Sequence, residues 1–430
     1  MTTPFNQTLA FPYYAEPTLY VAVGDVLRPW EYNGWKPESL SWKQSCYIHT
    51  GLSGPVVCVD GPDADAFVAQ LCTNNLASFP EGTMRHAVMC TEEGLIAAHG
   101  ILQRYDDGHY RHFAGGPWAL YQGLKGKFDV RVWMEDSYLT QIAGPRSLEA
   151  LQRATGEDLS DIKFLRYRKT QIAGKTVEVG RIGMSGNLAY EVRGPIADGP
   201  AVYDAIYQAN KDIGIERLGW RTYLVNHVEG GFPQANWTFG MAVVNDQGFR
   251  DWVGEDHFAL HAQRTGSYDP ADLRARQRNP FEVNWDKAVR FDHEFIGRKA
   301  LEKVAASPDQ RRTVTLRWNA DDVIDIYASL YRPGEEYRTM DLPTTPTWGH
   351  GMLEHADRLL AGDRLVGMSS GSIYSYYFRE NLSMGCVDVS HAEPGTELIV
   401  QWGDHGKRIK DVRVTVDRFP YLDEKRNSEA

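Results

Sequence analysis

The chain has 430 residues, 42% hydrophobic and 24% charged, which is enough for two or three domains with substantial cores and no need of covalent staples. Its formal net charge is −11 and it carries no Lys/Arg-rich run, which argues against nucleic acid or an acidic membrane surface as a partner. The five cysteines (Cys46, Cys58, Cys72, Cys90 and Cys386) form neither a CxxC pair nor a zinc spacing and read as reduced core thiols.

Residues 1–50 read as an N-terminal extension and the start of a core, with no basic start followed by an apolar stretch. No later window approaches the roughly 20 apolar residues of a spanning helix, so the expected location is cytoplasmic. In "VVCVDGPDADAFVAQL" (56–71) a short apolar strand passes through Gly-Pro-Asp into a helix with Phe67, Val68 and Leu71 on one face. Asp63 falls in its first turn, where a carboxylate suits the helix dipole. "RHAVMCTEEGLIAAHGILQRY" and "GHYRHFAG" follow as strands, with turns at Glu93-Gly94 and Asp107-Gly108.

The strand, turn and helix pattern recurs in "LTQIAGPRSLEALQRAT" (139–155), with Ser147 in a capping position, which suggests a pseudo-repeat. A helix over 199–214 closes this half. Strands mixed with helices through tight turns predict an α+β core with antiparallel sheets over 51–304. After the helix "FIGRKALEKV", the polar, Pro-containing "AASPDQRR" (305–312) marks a boundary. Beyond it the apolar period becomes two. "TVTLRW" sets Val314, Leu316 and Trp318 on one face, and "ELIVQW" and "DVRVTV" are further strands, so 312–422 reads as a small β-barrel or sandwich. Residues 423–430 form a solvated tail.

No standard catalytic motif is present: there is no GxGxxG after a strand, no Walker A loop, no HExxH and no GxSxG. The glycines of "GRIGMSG" stand at 180, 183 and 186, the wrong spacing for a dinucleotide fingerprint. What remains are polar residues in apolar settings. Glu229 sits in "NHVEGGFPQ" between a valine and two glycines, and Glu191 in "LAYEVRGP" between Tyr190 and Val192. Two carboxylates held this way can receive the paired N–H donors of an amino-amidine edge, as in a pterin. The bland alternative for each is an exposed carboxylate, or one paired with an arginine such as Arg193 or Arg221, since charged side chains are mostly exposed.

"NPFEVNWDKAVRFDHEFIGRKALEKV" (279–304) resembles a segment of the aminomethyltransferase family, that of the glycine-cleavage T-protein and its tetrahydrofolate-dependent relatives. The resemblance extends through "VDGPDADAFVAQL", "EGTMRH", "QIAGPRSLEAL", "GRIGMSGNLAYEV", "RLGWRTYLVNHVEGGF" and "VGMSSGSIYSYYFRENLSMGCVDVSHAEPGTELIVQWG", in family order over roughly residues 40–420. "WRTYLVN" and "IYASLYRPG" are similar to the branch of bacterial aromatic O-demethylases, which act on vanillate, 3-O-methylgallate and syringate.

The resemblance implies a T-protein-like fold, three subdomains around a central folate site with a C-terminal β-barrel. It also implies transfer of a one-carbon unit to tetrahydrofolate. Residue by residue, it makes Glu191 the pterin-binding glutamate, and Gln141 and Glu229 further folate contacts. Phe232 and Phe113 fall at positions lining the cofactor. Tyr223 matches the catalytic tyrosine, a phenolic acid for an ether oxygen that leaves only when protonated.

The chain departs from the family at several of these positions. His99 in "LIAAHGIL" stands where the family usually carries an aspartate, and an imidazole there is either an acid or base near neutral pH or a strand histidine facing solvent. Gly115 replaces an arginine that holds a substrate carboxylate, and Ser53 and Thr50 replace a substrate-side histidine and glutamine. An unpaired buried carboxylate costs at least several kcal/mol, so the expected substrate is a neutral aromatic, either a methoxy-arene or a methylenedioxyphenyl lignan such as sesamin. Two other readings stay open: transfer from an amine or sulfonium donor, disfavoured by the aromatic supply of Trp237, Trp118, Phe113 and Phe232, and a folate-binding accessory protein. Neither a metal, nor nucleic acid, nor a membrane is expected as a partner.

Overall fold

The computed structural model describes residues 8–9, 17–23, 26–50, 54–105, 108–113, 116–255, 257–345 and 353–422. Its largest sheet has ten strands and is built from two strand, turn and helix units that share one long strand, Arg131–Ala143. The first unit runs from strand Gly54–Asp60 through helix Ala64–Leu71 to the antiparallel strands Met84–Cys90, Ile96–Arg104 and Tyr110–Phe113. The second runs from Arg131–Ala143 through helix Ser147–Thr155 to strands Tyr167–Ile172, Lys175–Arg181 and Ala189–Pro195. Helix Gly199–Gln208 packs its Val202, Tyr203 and Ile206 into the core of this second unit.

The two units turn the same corner. Gly61 and Gly144 have φ of +126° and +130°, and a Cβ would come within 2.6 Å of the Asp129 carbonyl oxygen in one case and 2.5 Å of the Ser45 carbonyl oxygen in the other. Only glycine fits there, so the repeated Gly-Pro marks a repeated geometry. The cap expected of Ser147 is different in kind. It is the first helical residue, and its hydroxyl donates to the Leu188 carbonyl at 3.0 Å, tying the helix to the neighbouring turn.

Strand Cys46–His49 adds antiparallel to the far end of Arg131–Ala143, and Ile215–Arg217 pairs parallel to it. Helix Trp220–Glu229 follows, and its start is fixed from another element. Buried Glu38, on helix Trp35–Gln44, accepts from the Gly219 N–H at 2.9 Å and the Thr222 hydroxyl at 2.7 Å. Its other oxygen accepts from the N–H groups of Tyr32 at 2.6 Å and Asn33 at 3.1 Å. Gly219 has no side chain to cap the helix, so this carboxylate meets the orphan donors instead. Burial lifts the Glu38 pKa to about 7 against those four hydrogen bonds, which pull it down.

Beyond helix Arg298–Ala306 the chain forms a closed six-stranded barrel in the order Arg311–Trp318, Glu380–Asp388, Arg364–Ser375, Asp357–Ala361, Glu397–Trp402, Lys410–Asp417. Closure removes the sheet edges, which decides for a barrel over a sandwich. Val314, Leu316 and Trp318 all enter the barrel core, as a period of two requires. Strand Arg364–Ser375 packs on helix Trp220–Glu229 and so closes the barrel onto the ten-stranded sheet's side of the molecule. The architecture is the α+β fold with a C-terminal barrel. All five cysteines are buried and unbridged. No helix among the described residues is long and apolar enough to cross a membrane, and the tail 423–430 lies outside the described residues.

Candidate functional site

Strand register lines up three polar side chains. His49 pairs with Gln141, and Gln141 with Glu191. Directly opposed residues share a face of the sheet, so the three form a row. Gln141 Nε2 donates to Glu191 Oε1 at 3.1 Å, and the other carboxylate oxygen is ion-paired with Arg193, two residues on and therefore on the same face. The Arg193 guanidinium also donates to Gln103 Oε1 at 2.8 Å and lies 4.1 Å from the centroid of the Phe113 ring. The arginine partner considered for Glu191 from sequence is therefore present, and Glu191 lines the cavity at the same time.

That cavity has a volume of about 630 Å³, within the range of roughly 300–1,000 Å³ usual for small-molecule sites. The sheet supplies His99, Phe113, Gln141 and Glu191. Helix Trp220–Glu229 and the turn after it supply Tyr223 and Phe232, and segment 283–287 supplies Trp285. Gly230 lets the turn close in: a Cβ there would meet the Met184 carbonyl oxygen at 2.6 Å. The described residues contain no group of three or more His, Cys, Asp or Glu side chains able to hold a metal ion.

Tyr223 is 2% exposed. Its ring stacks on His49 with centroids 4.0 Å apart and planes 16° apart, and meets Trp220 and His227 edge-on at 5.3 and 4.4 Å. Burial raises the phenol's pKa well above its ordinary value, the Tyr47 phenol and the Glu191 carboxylate raise it further, and the Gln141 amide alone pulls it down. Tyr223 thus stays protonated near neutral pH. His49 is neutral too, its pKa pushed down to about 3 by burial, and its Nδ1 lies 2.8 Å from the Leu218 carbonyl oxygen, which fixes Nδ1 as the protonated nitrogen.

His99 does not face solvent. It is 6% exposed, lines the cavity, and lies with Nδ1 3.2 Å from Nε2 of His86. Burial, then His86, His112 and His227, hold its pKa well below the usual imidazole value. Burial alone pushes His86 down to about 4. Sequence reasoning missed both His86 and Trp285. The signal for His86 was available, because alternation puts residues 84, 86, 88 and 90 on one face of their strand. Trp285 sits in an irregular segment, where no periodicity assigns a face.

Glu229, expected as a folate contact, is not among the residues lining this cavity. Glu229 is wholly buried, its carboxylate ion-paired with Lys43 and accepting from the Ser375 hydroxyl at 2.6 Å. The Lys43 ammonium also lies 3.7 Å from the centroid of the Trp42 ring. The apolar surroundings of "NHVEGGFPQ" thus belong to a buried ion pair. Trp118 and Trp237 are core residues away from the cavity, packed on Phe249 and against the barrel side respectively. Thr50 is buried, next in sequence to His49, and is not among the cavity-lining residues. Ser53 and Gly115 lie outside the described residues.

Residues 15–237 match the family model described as the GCVT N-terminal domain. Sesamin methylene transferase from Sinomonas sp. is 38% identical over 422 residues, 93% of this chain and 91% of that protein. Syringate O-demethylase from Sphingobium sp. is 30% identical over 394 residues, 87% of this chain and 84% of that protein. In fold the chain is similar to the glycine cleavage system aminomethyltransferase T from Bartonella henselae, with a TM-score of 0.68 at 17% identity over 95% of this chain and 96% of that one. The matched segment contains Gln141, Glu191 and Tyr223, and the relatives run along nearly the whole chain: this protein belongs to the GCVT aminomethyltransferase family.

Proposed function

We propose that the cavity is where a one-carbon unit passes from a neutral aromatic ether to tetrahydrofolate. The protein is a tetrahydrofolate-dependent one-carbon transferase of the aromatic branch of its family. The observation that carries the assignment of residues is a protonated phenol, Tyr223, lining the same cavity as a carboxylate and amide pair, Glu191 and Gln141.

The cavity fits the cofactor. A carboxylate offers about four acceptor positions, and Gln141 and Arg193 occupy one on each oxygen of Glu191. The remaining ones suit the N–H donors of a pterin edge, and Phe113, Phe232 and Trp285 offer aromatic faces and edges to its rings. When bound, tetrahydrofolate supplies the nucleophilic nitrogen that takes up the carbon. Glu191 and Gln141 hold and orient the pterin, so that reaction becomes largely a matter of alignment. Tyr223 gives its proton to the ether oxygen as the C–O bond breaks.

Charge selects the substrate class. Among the described lining residues the acidic and basic side chains other than histidine are Glu191, met by Arg193, and Lys287, which is exposed. An aromatic acid such as a benzoate brings a carboxylate with no free buried cation to meet it, at a cost of several kcal/mol. A methylenedioxyphenyl compound such as sesamin brings none, and neither does a neutral methoxy-arene. The methylenedioxyphenyl class is favoured, since the relative at 38% identity bears that substrate in its name.

Incubation with tetrahydrofolate and sesamin is expected to give 5,10-methylene-tetrahydrofolate by mass spectrometry, while a neutral guaiacyl ether, if it is the true donor class, gives the 5-methyl form. Product formed only from an amine or sulfonium donor replaces this reading. Glu191→Gln is expected to weaken tetrahydrofolate binding by roughly 10- to 100-fold, the worth of a charge-assisted hydrogen bond. An unchanged calorimetric titration removes Glu191 from the pterin site.

A further inference from the structure

We propose that His86 and His99 work as one unit: a hydrogen-bonded imidazole pair in which His99 accepts the proton released at the carbon-accepting nitrogen, and His86 positions it. This deepens the reading above and rests on it for the identity of the acceptor. The pairing itself rests on geometry.

Strands Met84–Cys90 and Ile96–Arg104 are antiparallel, and His99 is directly opposite Val88. His86 is therefore its diagonal neighbour on the same face. Both imidazoles line the cavity, their facing nitrogens are 3.2 Å apart, and neither ring makes another hydrogen bond among the described residues. Trp285 packs on both, with centroids at 4.5 Å from His86 and 4.8 Å from His99, and Phe232 lies 5.5 and 6.1 Å away. The titratable groups acting on His99 are His86, His112 and His227, none of them a carboxylate. Nothing there holds either ring as an imidazolium in the resting protein.

A neutral pair has two tautomeric arrangements. In one, His99 Nδ1–H donates to His86 Nε2, and His99 Nε2 is left as a bare acceptor. Protonation at Nε2 then turns the Nδ1–H bond into a charge-assisted one, which supports the cation where burial disfavours it. For each C–O bond broken, the electron pair stays on the aryl oxygen, which takes the Tyr223 proton. The new N–C bond uses the nitrogen lone pair, and the nitrogen's proton passes to His99 Nε2. Return of that proton through solvent to the Tyr223 oxygen resets both residues. Methylene transfer breaks two C–O bonds and forms two N–C bonds, so the exchange occurs twice, and an initially neutral base beside a phenolic acid serves both rounds.

Two variants test the pair. His86→Phe keeps a ring against Trp285 but removes the acceptor; His86→Gln returns an amide acceptor near the Nε2 position. In ¹⁵N spectra of histidine-labelled protein without cofactor or substrate, His99 is expected as the Nδ1–H tautomer in the wild type and in His86→Gln, and as the Nε2–H tautomer in His86→Phe. In turnover, His86→Phe should lose on the order of 10²-fold in kcat with KM little changed, the scale of general-base catalysis, and His86→Gln should recover most of the loss. An Nε2–H tautomer in the wild type overturns the proposal, as does a His86→Phe protein with unaltered tautomer and kcat. Failure of every aryl ether to turn over strikes the functional reading instead, because the tautomer is read with the cavity empty of ligand.

Discussion

Tyr223→Phe is expected to cut kcat by on the order of 10²-fold or more, the usual worth of a positioned general acid, with tetrahydrofolate affinity nearly intact. The substitution is conservative in packing. The stack on His49 at 4.0 Å and the edge contact with Trp220 at 5.3 Å involve the ring, which phenylalanine retains. Only the hydroxyl goes, and with it the one protonated phenol among the described residues lining the cavity. Because burial raises that phenol's pKa well above the ordinary value of 10.0, its ionisation is not expected to limit wild-type activity at any pH up to that value. Steady-state kinetics and a folate titration on the same variant separate the two effects. Wild-type turnover in Tyr223→Phe removes the acid role, and lost folate binding moves Tyr223 from the chemistry to the cofactor grip.

Breaking the Lys43 and Glu229 pair should produce the largest loss of stability. Both side chains are out of solvent, at 2% and 0% exposure. Lys43→Met leaves an unpaired carboxylate in the interior, which costs about 3–5 kcal/mol, read as a lower urea midpoint with the slope preserved. Lys43→Met with Glu229→Gln should recover much of that loss, since the neutral amide still meets the Ser375 hydroxyl and no charge is stranded. The same set of variants decides the role of Glu229. In a purely structural pair, Glu229→Gln destabilises the fold and leaves folate affinity alone. A selective loss of folate affinity at unchanged stability makes Glu229 a ligand after all.

Glu191 and Glu229 show where local sequence stops being informative. Each stands among apolar neighbours, and each reads equally well as a pterin ligand. Their fates diverge through contacts far along the chain. Glu191 lies on strand Ala189–Pro195, opposite Gln141 and in one row with His49, on the face that helix Trp220–Glu229 and segment 283–287 cover without filling. Glu229 ends a helix whose last turn meets Lys43, 186 residues earlier, and Ser375, 146 residues later. His99 is a similar case. The register that sets it opposite Val88 puts it on a face with His86, and whether that face met water or a cavity depended on Trp285 closing over it.

What the amino-acid order determined by itself is whatever rests on short-range physics. The period-two strand of Val314, Leu316 and Trp318 and the helices after each Gly-Pro turn need only neighbouring residues and backbone sterics, whereas the close approach of the Asp129 and Ser45 carbonyls that demands glycine at Gly61 and Gly144 is a product of the fold. Tyr223 and Gln141 were legible through whole blocks of resemblance. The tertiary structure alone decided which charges found partners and which polar faces enclosed space, because a buried carboxylate is stabilised by whatever cation the fold delivers to it, and that delivery is a long-range event.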